Sequence, residues 1–532
     1  MITERIALNE IRFFSSLIKD YVAEKDSLKA LYHRLPNIGN FKAQLTEKQH
    51  YFTPEARARL VNALNDQYNG ITTSQKVLEN IALLRQDTTF TITTGHQLSL
   101  FTGPLYFIYK IVSAINTARL LTEAYPDYQF VPMYWMASED HDFEEINHFH
   151  HQQTLRWHSS QSGMTGNFRT DTLREVFETF SKLLTDGHKA QKLKTLFSES
   201  YLKHKKLSDA TRELVNTLFQ QYGLVIIDGN HRELKKAFIP QMKNDLLRHH
   251  AFEKVSETID DIHKINKNYR IQVNPREVNL FYLTKNGRDR IVATGAGFEV
   301  HQTGLTFTHE ALLTELEEAP ERFSPNVILR PLYQEVILPN LAYIGGGGEI
   351  AYWLELKRFF QSEGVPFPIL MLRNSALLVS GQQQRKLEKL QLLAQDLFLK
   401  TEDLRTQKTR ELSDFPIDFS PQRVVLQQQF ADLYRLAEKT DVTFKNAVKA
   451  QESKQLKGLH QLEKRLLKAQ KRNLANQLER IARLQNELFP NGSLQERFAN
   501  FSSFYLEQGD ALIPLLLDSF DPFDTRFLVL TY

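Results

Sequence analysis

The chain contains no cysteine, and this absence removes several kinds of chemistry at once. A protein without cysteine has no disulfide bonds, no thiolate nucleophile and no cysteine-ligated metal. The absence also agrees with a reducing compartment, where structural disulfides are rare. The amino-terminal stretch MITERIALNEIRFF is charged and lacks the apolar core of a signal peptide, so we expect a cytoplasmic protein.

Strong net charge and long apolar runs are also missing. The 66 basic and 63 acidic residues leave a formal net charge of +3, which is too small to attract nucleic acid or a membrane surface. No apolar run reaches the length needed to span a bilayer. With 532 residues, 42% of them hydrophobic, the chain is long enough for two or three domains with sizeable cores. We therefore expect a soluble protein whose partners are neither nucleic acid nor membrane.

The segment from residue 91 to 116, TITTGHQLSLFTGPLYFIYKIVSAIN, combines a β-rich run, a loop and a helical pattern. The β-rich run ends at Gly95-His96-Gln97, and the helix follows Gly103. Free backbone N–H groups at a helix start favour an anion such as phosphate. The segment matches neither the GxGxxG fingerprint nor the P-loop. A plain strand-to-helix turn explains it equally well when it is read by itself.

Further apolar runs, FVPMYWM at 130–136 and LVIID at 224–228, alternate with amphipathic helical stretches. This alternation predicts an α/β fold with a largely parallel sheet. Ligands of such sheets bind beyond the carboxyl ends of the strands. The polar residues predicted at or just after strand ends are His96, Glu139, Asp140, His141, Asp228 and Arg330. Their shared position indicates a binding site.

The stretch SEDHDFEEINH, at 138–148, is the densest in chemically active side chains. Acids and a histidine after a strand can orient an amine or accept a proton. The spacing is not that of the HExxH zinc motif, and we predict no metal site. The alternative is a solvated helix start capped by Ser138 or Asp140. We favour a functional role for Glu139, Asp140 and His141.

Four consecutive glycines, Gly345 to Gly348, precede Glu349 and a helical pattern. Such a run is expected where the backbone approaches a ligand or adopts positive φ. A mobile hinge is an equally good explanation from composition alone. Arg330 and Arg373 flank this region, and a guanidinium can hold a carboxylate or phosphate through two hydrogen bonds.

Beyond residue 380 glycine becomes rare, and Leu, Gln, Lys, Arg and Glu dominate. In the last long helical pattern Leu467, Leu474, Ile481 and Leu488 follow one another at intervals of seven residues. Imperfect heptads of this kind favour an antiparallel helical hairpin or a short coiled coil over a long parallel zipper. The pattern is locally basic but lacks aromatic residues for base stacking, so a solvated coiled-coil face is preferred to a nucleic-acid surface.

These patterns together predict four parts. Residues 1–87 form a helical segment that packs on the core, and residues 88–380 form a Rossmann-like catalytic core with insertions. Residues 381–490 form an α-helical coiled-coil domain, and residues 491–532 form a tail. The predicted fold class is thus an α/β parallel-sheet core followed by a helical domain.

Four stretches carry a resemblance to a known family. They are TTGHQLSLFTGPLYFIYKI, VPMYWMASEDHDFEEINH, RPLYQEVILPNLAYIGGGGEIAYWLELK and LQERFANF. In this order they resemble the bacillithiol-biosynthesis BshC family. The resemblance implies a Rossmann-type core, a coiled-coil domain and a homodimer. It also implies the last step of bacillithiol synthesis, in which cysteine is joined to the amino group of glucosaminyl-malate. The chain has His96 and Gly347 where the family commonly has glutamine and proline.

We therefore predict an amide-forming ligase that activates the cysteine carboxylate with ATP or another nucleotide. Glu139, Asp140 and His141 are the predicted catalytic residues, which hold amino groups or act as base. The loop 95–103 is expected to contact phosphate, and the two arginines with loop 345–349 to hold the malyl carboxylates. The predicted substrate-binding residues are Gly95, His96, Gln97, Gly103, Tyr106, Arg330, Gly346, Gly348, Glu349, Tyr352 and Arg373.

Three questions stay open at the level of sequence. The activated species is either an acyl-adenylate or an acyl-phosphate, and a requirement for Mg²⁺ is not determined. A nucleotidyltransferase with another acceptor is the alternative among enzymes. A non-catalytic coiled-coil scaffold with a ligand-sensing α/β domain is the alternative outside enzymology.

Overall fold

The computed structural model describes residues 2–532, which form two compact units. The larger unit contains residues 5–377 and 495–528. The smaller unit contains residues 378–494 and 529–532 together with the described part of the first four residues. The chain therefore returns to the larger unit near its carboxyl end.

The strands of the described residues belong to four sheets. The described strands are β1 (Ile2–Ile6), β2 (Thr89–His96), β3 (Gln129–Met136), β4 (His148–His150), β5 (Thr154–Arg156), β6 (Val225–Asp228), β7 (Leu280–Leu283), β8 (Arg288–Thr294), β9 (Gly297–Val300), β10 (Leu305–Phe307), β11 (Phe323–Pro325), β12 (Asn340–Gly345), β13 (Ile369–Leu372), β14 (Ala376–Val379) and β15 (Phe527–Thr531). The sheet orders are β13-β12-β2-β3-β6, β10-β9-β8-β7-β11, β1-β15-β14 and β4-β5.

The helices account for most of the remaining chain. They are α1 (Ser16–Val22), α2 (Ile38–Tyr51), α3 (Pro54–Tyr68), α4 (Gln75–Leu83), α5 (Tyr106–Ala124), α6 (Phe143–Ile146), α7 (Leu173–Leu183), α8 (His188–Phe197), α9 (Leu207–Phe219), α10 (Arg232–Lys236), α11 (Ile239–Arg248), α12 (His250–Ile265), α13 (His309–Glu318), α14 (Leu329–Ile337), α15 (Gly347–Leu354), α16 (Lys357–Ser362), α17 (Gly381–Lys389), α18 (Thr401–Glu411), α19 (Ser420–Ala437), α20 (Val442–Asn473), α21 (Ala475–Leu488), α22 (Phe501–Gln508) and α23 (Leu512–Ser519). None of these helices combines the length and apolarity that crossing a bilayer would require.

The central sheet of the larger unit contains β2, β3, β6, β12 and β13, and all its pairs are parallel. Counted along the chain within this sheet, the strand order is 3-2-1-4-5. This is the order of the first five strands of a Rossmann fold, and it reverses direction between β2 and β12. The predicted parallel α/β architecture is confirmed.

Helices cover the sheet because its strands are apolar on both faces, as expected for parallel strands. Phe41 and Leu45 of α2 pack with Ile92, Leu341 and Ile344 of the sheet. The same buried cluster includes side chains of α5. Helix α2 therefore shares the hydrophobic core of the sheet that follows it.

An antiparallel sheet, made of β7 to β11, is inserted between β6 and β12 of the central sheet. Its first strand is Leu280–Leu283, and residues 270–279 before it have no regular structure. Arg330 was expected at a strand end and lies instead in the first turn of α14. The apolar periodicity of a short buried helix resembles that of a strand, which explains the error.

The smaller unit consists mainly of helices α17 to α21. Helices α19 and α20 form an antiparallel hairpin, in which the Tyr434 hydroxyl donates to Glu452 at 2.9 Å and Arg423 pairs with Glu463 at 2.5 Å. An antiparallel helical hairpin is therefore present, but Leu474, Ile481 and Leu488, three of the four heptad residues that favoured one, lie outside it. The single helix implied by the heptad spacing is not observed, because α20 ends at Asn473 and α21 starts at Ala475. Heptad spacing constrains which face is apolar and does not require an unbroken backbone.

A fully buried ion pair ties α2 to α14 in the larger unit. Lys48 Nζ lies 3.0 Å from Glu335 Oε2, and neither side chain is exposed. Glu335 also accepts hydrogen bonds from Asn340 Nδ2 at 2.6 Å and Gln334 Nε2 at 3.0 Å. Each buried charge therefore depends on the other for its compensation.

We predict that Lys48→Met lowers the free energy of unfolding by about 3–5 kcal/mol, because Glu335 would keep a buried charge without its partner. Urea unfolding measures this loss. The matched control is Lys42→Met on the exposed face of α2, which should change the value by less than about 0.5 kcal/mol. Equal effects of the two substitutions would contradict the prediction.

Candidate active site

A cavity of about 750 Å³ lies at the carboxyl ends of the central strands. Strands β2, β3, β6 and β12 contribute His96, Met136, Asp228 and Tyr343 to its wall. The sheet order reverses between β2 and β12, so this is the crevice where open α/β sheets bind ligands. Its volume is in the range of small-molecule sites. The other main lining residues are Gly95, Gln97, Tyr106, Lys110, Trp135, Ser138, Glu139, Asp140, Asn230, Gln272, Asn274, Arg276, Arg288, Asn326, Arg330, Glu349 and Tyr352.

Two predicted catalytic acids, Glu139 and Asp140, line the cavity just after β3. Glu139 pairs with the buried ammonium of Lys235 and accepts a hydrogen bond from the Ser324 hydroxyl at 3.1 Å. Asp140 accepts hydrogen bonds from Gln97 Nε2 at 2.7 Å and from the backbone N–H of His141 at 2.7 Å. Both carboxylates are thus held in place by neighbouring donors.

His141, the third predicted catalytic residue, is not among the residues that line the cavity. Its side chain is about half exposed, and its Nδ1 lies 2.9 Å from Arg288 Nη1. Burial and the Arg288 charge lower the pKa of His141. A neutral imidazole accepting from Arg288 is therefore the form favoured at neutral pH. Arg288 itself lies over the ring of Phe281, 4.0 Å from its centre.

Lys110 and Glu349 form an ion pair of 2.8 Å at the cavity wall. Glu349 also accepts from the Tyr343 hydroxyl at 2.7 Å and from the Gly346 N–H at 2.8 Å. Burial alone would raise the pKa of Glu349, but Lys110 and these donors outweigh it and lower the pKa to about 2. Glu349 is therefore an anion that stabilises the wall, and its low pKa makes it a poor proton acceptor.

Arg330 is a cation of the cavity wall that has no carboxylate partner within the described chain. Its Nη2 donates to the Tyr352 hydroxyl at 3.2 Å and its Nη1 to Gln334 at 3.2 Å. The guanidinium also lies near the ring faces of Trp135 and Tyr343. Its neighbours orient the side chain without neutralising it, so its charge is available to an anionic ligand.

Arg373 was expected beside Arg330 but lies outside the cavity lining. Its Nη2 donates to the buried Glu496 at 2.6 Å, and its Nη1 donates to the backbone oxygen of Asn374 and to Ser375. The structure therefore places this guanidinium in a buried pair inside the larger unit. It also lies over the ring of Tyr106, which does line the cavity.

His96 and Tyr106 stack on each other, with ring centres 5.4 Å apart. Burial and the nearby Lys110 charge lower the pKa of His96 to about 3, so its imidazole is neutral at physiological pH. The Nδ1 atom lies 3.1 Å from the backbone oxygen of Gln97. The predicted residues Gly95, His96, Gln97 and Tyr106 are thus brought together at one wall of the cavity.

The rest of the predicted loop 95–103 turns into the protein. Phe101 N–H donates to the Tyr201 hydroxyl, Gly103 N–H to Leu100, and Leu105 N–H to Ala499, each at 2.8 Å. These three N–H groups are therefore occupied and do not face a ligand. Gly103 is buried outside the cavity with φ of 58°, where a Cβ would come within 2.8 Å of the Ser99 side chain. The positive φ and the close packing against Ser99 explain why a glycine occurs at this position.

None of the four glycines from 345 to 348 has positive φ, contrary to that part of the expectation. A Cβ at Gly345 would meet the side chains of Tyr343, Glu349 and Ile350 at 3.0–3.2 Å. Gly346 and Gly348 are not among the cavity-lining residues, whereas Glu349 and Tyr352 of the following helix are. At Gly345, close packing explains the absence of a side chain.

Several lining residues were missing from the predicted set, including Lys110, Trp135, Asn230, Arg288 and Tyr343. The sequence places Asp228 at a predicted strand end but indicates no catalytic or binding role for it. Lys110 sits in an otherwise apolar helical pattern, and that was a usable signal for a buried charge. Arg288 comes from the inserted antiparallel sheet, and nothing in its local sequence indicates that it reaches the site.

Two family models match this chain in sequence. The model described as "Bacillithiol biosynthesis BshC, N-terminal Rossmann-like domain" matches residues 1–374. The model described as "Bacillithiol biosynthesis BshC, C-terminal coiled-coil domain" matches residues 376–532. Together they cover nearly all of the chain and agree with its parallel sheet and its helical hairpin.

Full-length relatives have the same family name, "Putative cysteine ligase BshC". The protein of Christiangramia forsetii is 52% identical over 100% of this chain and 99% of its own length. That of Flavobacterium johnsoniae is 51% identical over 100% of both chains. A more distant one from Bacillus cereus is 27% identical over 92% of this chain and 93% of its own. The chain belongs to the bacillithiol-biosynthesis BshC family, as its motifs predicted, and it is an enzyme of the ligase class.

Proposed function

We propose that this ligase joins the carboxyl group of cysteine to the amino group of glucosaminyl-malate, the last step of bacillithiol synthesis, with ATP or another nucleotide as the activating substrate. A cytoplasmic homodimer is part of the same proposal. The observation that supports it best is the charge arrangement of the cavity. The acids Glu139, Asp140 and Asp228 lie in the same cavity as Arg330, a cation without an acid partner.

This arrangement suits the chemistry of amide formation. A carboxylate is a poor electrophile, so it is first converted to an acyl-adenylate or acyl-phosphate. The enzyme stabilises the added negative charge and excludes water from the activated acyl group. Arg330 supplies the positive charge, and Trp135 and Tyr343 beside it supply apolar surface.

The roles of the predicted residues follow from their partners. We assign Arg330 and Tyr352 to a carboxylate or phosphate of the substrates, and Glu139 and Asp140 to orienting amino groups. Gly95, His96, Gln97 and Tyr106 shape the wall after β2. Arg373, Gly103, Gly346 and Gly348 lie outside the cavity lining and are given no contact with a substrate.

The direct test incubates the purified protein with cysteine, glucosaminyl-malate and ATP. We expect bacillithiol as the product, detected by mass spectrometry, in an amount proportional to enzyme. Release of pyrophosphate would identify an acyl-adenylate, and release of phosphate an acyl-phosphate. A folded protein that yields no product with any nucleoside triphosphate would overturn the proposal.

We predict that Arg330→Met lowers kcat/KM for product formation by about 10- to 150-fold, because a charge-assisted hydrogen bond contributes about 1.5–3 kcal/mol. Arg330→Lys should recover only part of this loss, since an ammonium cannot form two parallel hydrogen bonds to an oxyanion. Steady-state kinetics with each substrate varied measures the effect. Arg59→Met on the exposed face of α3 is the control and should leave kcat/KM within about twofold. Equal activity of both methionine variants would contradict the role of Arg330.

A further inference from the structure

Asp228 occupies the end of β6, where its backbone is held rigidly. Gln67 accepts from the Asp228 N–H at 2.8 Å and donates to its backbone oxygen at 2.9 Å. The Ser138 hydroxyl donates to Asp228 Oδ1 at 2.5 Å, and the Asn230 N–H donates to the same oxygen at 2.9 Å. No described residue donates a hydrogen bond to Oδ2. One carboxylate oxygen is therefore fixed, the other accepts no hydrogen bond from the described chain, and Asp228 is a lining residue of the cavity.

The other acids of the cavity lack this freedom. One carboxylate oxygen of Glu139 accepts a hydrogen bond from Lys235, and the other accepts one from Ser324. Asp140 has Gln97 on one oxygen and backbone N–H groups on the other. Glu349 has the Lys110 ammonium, the Tyr343 hydroxyl and the Gly346 N–H. Of the four lining carboxylates, Asp228 alone has an oxygen without a donor and no ion-pair partner in the described chain.

The basic side chains near Asp228 form their hydrogen bonds and ion pairs with other residues. Arg212 donates to the Ile226 backbone oxygen at 2.8 Å and to Gln67 at 3.0 Å, and Lys235 pairs with Glu139. The Glu139 charge and the phenols of Tyr134 and Tyr333 are also near. Burial raises the pKa of Asp228, although the bonds from Ser138 and Asn230 and the Arg212 charge oppose the rise. A carboxylate with a raised pKa is a better proton acceptor than an ordinary one.

We propose that Asp228 is the general base that takes a proton from the attacking sugar amine, and that Ser138 positions it. This role rests on the ligase function proposed above. The amine nitrogen attacks the activated acyl carbon, a C–N bond forms, and the C–O bond to the phosphoryl leaving group breaks. The leaving group departs with that electron pair, and the proton released by nitrogen moves to Asp228 Oδ2. Glu139 and Asp140 then orient the amine without receiving its proton.

Hydroxylamine separates the two halves of the reaction. It is unprotonated at neutral pH and attacks an activated acyl group without a base, giving a hydroxamate. For Asp228→Asn we expect hydroxamate formation from cysteine and ATP to stay within about threefold of the unmodified protein. Amide formation with glucosaminyl-malate should fall at least about 100-fold, the usual contribution of a general base. The matched control, Asp127→Asn at an exposed loop position, should leave both rates unchanged.

The outcomes distinguish this role from the proposed function. If the unmodified protein forms neither hydroxamate nor amide, the ligase function itself fails and the base role fails with it. If the unmodified protein forms both, a smaller loss of amide formation in Asp228→Asn would overturn the base role alone. An equal loss of hydroxamate would also overturn it, because Asp228 would then act in activation or in folding.

A second variant keeps the inference testable if Asp228→Asn does not fold. Ser138→Ala removes a donor to the charged form of Asp228, so the pKa of that carboxyl should rise further. The base works only when deprotonated, and the acidic limb of the kcat–pH profile should therefore move to higher pH. Asp127→Asn should not move this limb. A limb that stays in place in Ser138→Ala would overturn the proposal.

Discussion

The ion pair between Lys110 and Glu349 connects two elements of the cavity wall, and the rest of the site depends on this connection. Lys110 belongs to α5, which follows β2, and Glu349 belongs to α15, which follows β12. The strand order reverses between β2 and β12, so the two helices leave the sheet on either side of the crevice. Lys110 also donates to the backbone oxygen of Gly95, and Glu349 accepts from the Gly346 N–H. The Lys110–Glu349 pair thereby holds the carboxyl ends of β2 and β12 in place beside the cavity.

Pairing divides the charges of the cavity into those that build it and those that remain available to ligands. Lys235 with Glu139 and Lys110 with Glu349 are internal pairs, and a buried charge is tolerated because its partner compensates it. Arg276, Arg288, Arg330 and one oxygen of Asp228 remain outside such pairs in the described chain. A ligand with an anionic group and an amine complements these cations and this carboxylate oxygen. This complementarity supports the amide formation proposed above.

Packing explains features that chemistry alone would assign to ligands. The loop after β2 uses its N–H groups internally, and Phe101 inserts among the rings of Phe149, Phe180, Phe197 and Phe501. Asn500 donates to the backbone oxygens of Phe101 and Gly103. The loop is therefore held by residues near the carboxyl end of the larger unit. Its role at the site is to present Gly95, His96 and Gln97 in a fixed conformation.

The sequence by itself determined the parallel-sheet architecture, the family and the place of the cavity. Alternating apolar runs and amphipathic helices require a parallel sheet, and parallel strands bring their carboxyl ends to one edge. The sequence alone therefore predicts that four residues after these strands lie close together, namely His96, Glu139, Asp140 and Asp228. The helical character of the smaller unit was likewise predictable, because Leu, Gln, Lys, Arg and Glu dominate there and glycine is rare.

Only the tertiary structure decided which of these groups are chemically available. Arg373 and Arg330 look equivalent in sequence, but Glu496, 123 residues further along, pairs with Arg373 and leaves Arg330 unpaired. Glu139 looked like the reactive acid, but Lys235, 96 residues away, holds it. The spacing of residues along the chain indicates which face of a helix or strand a side chain occupies. Charge compensation depends on partners that only the folded chain brings near, so availability could not be read from the sequence.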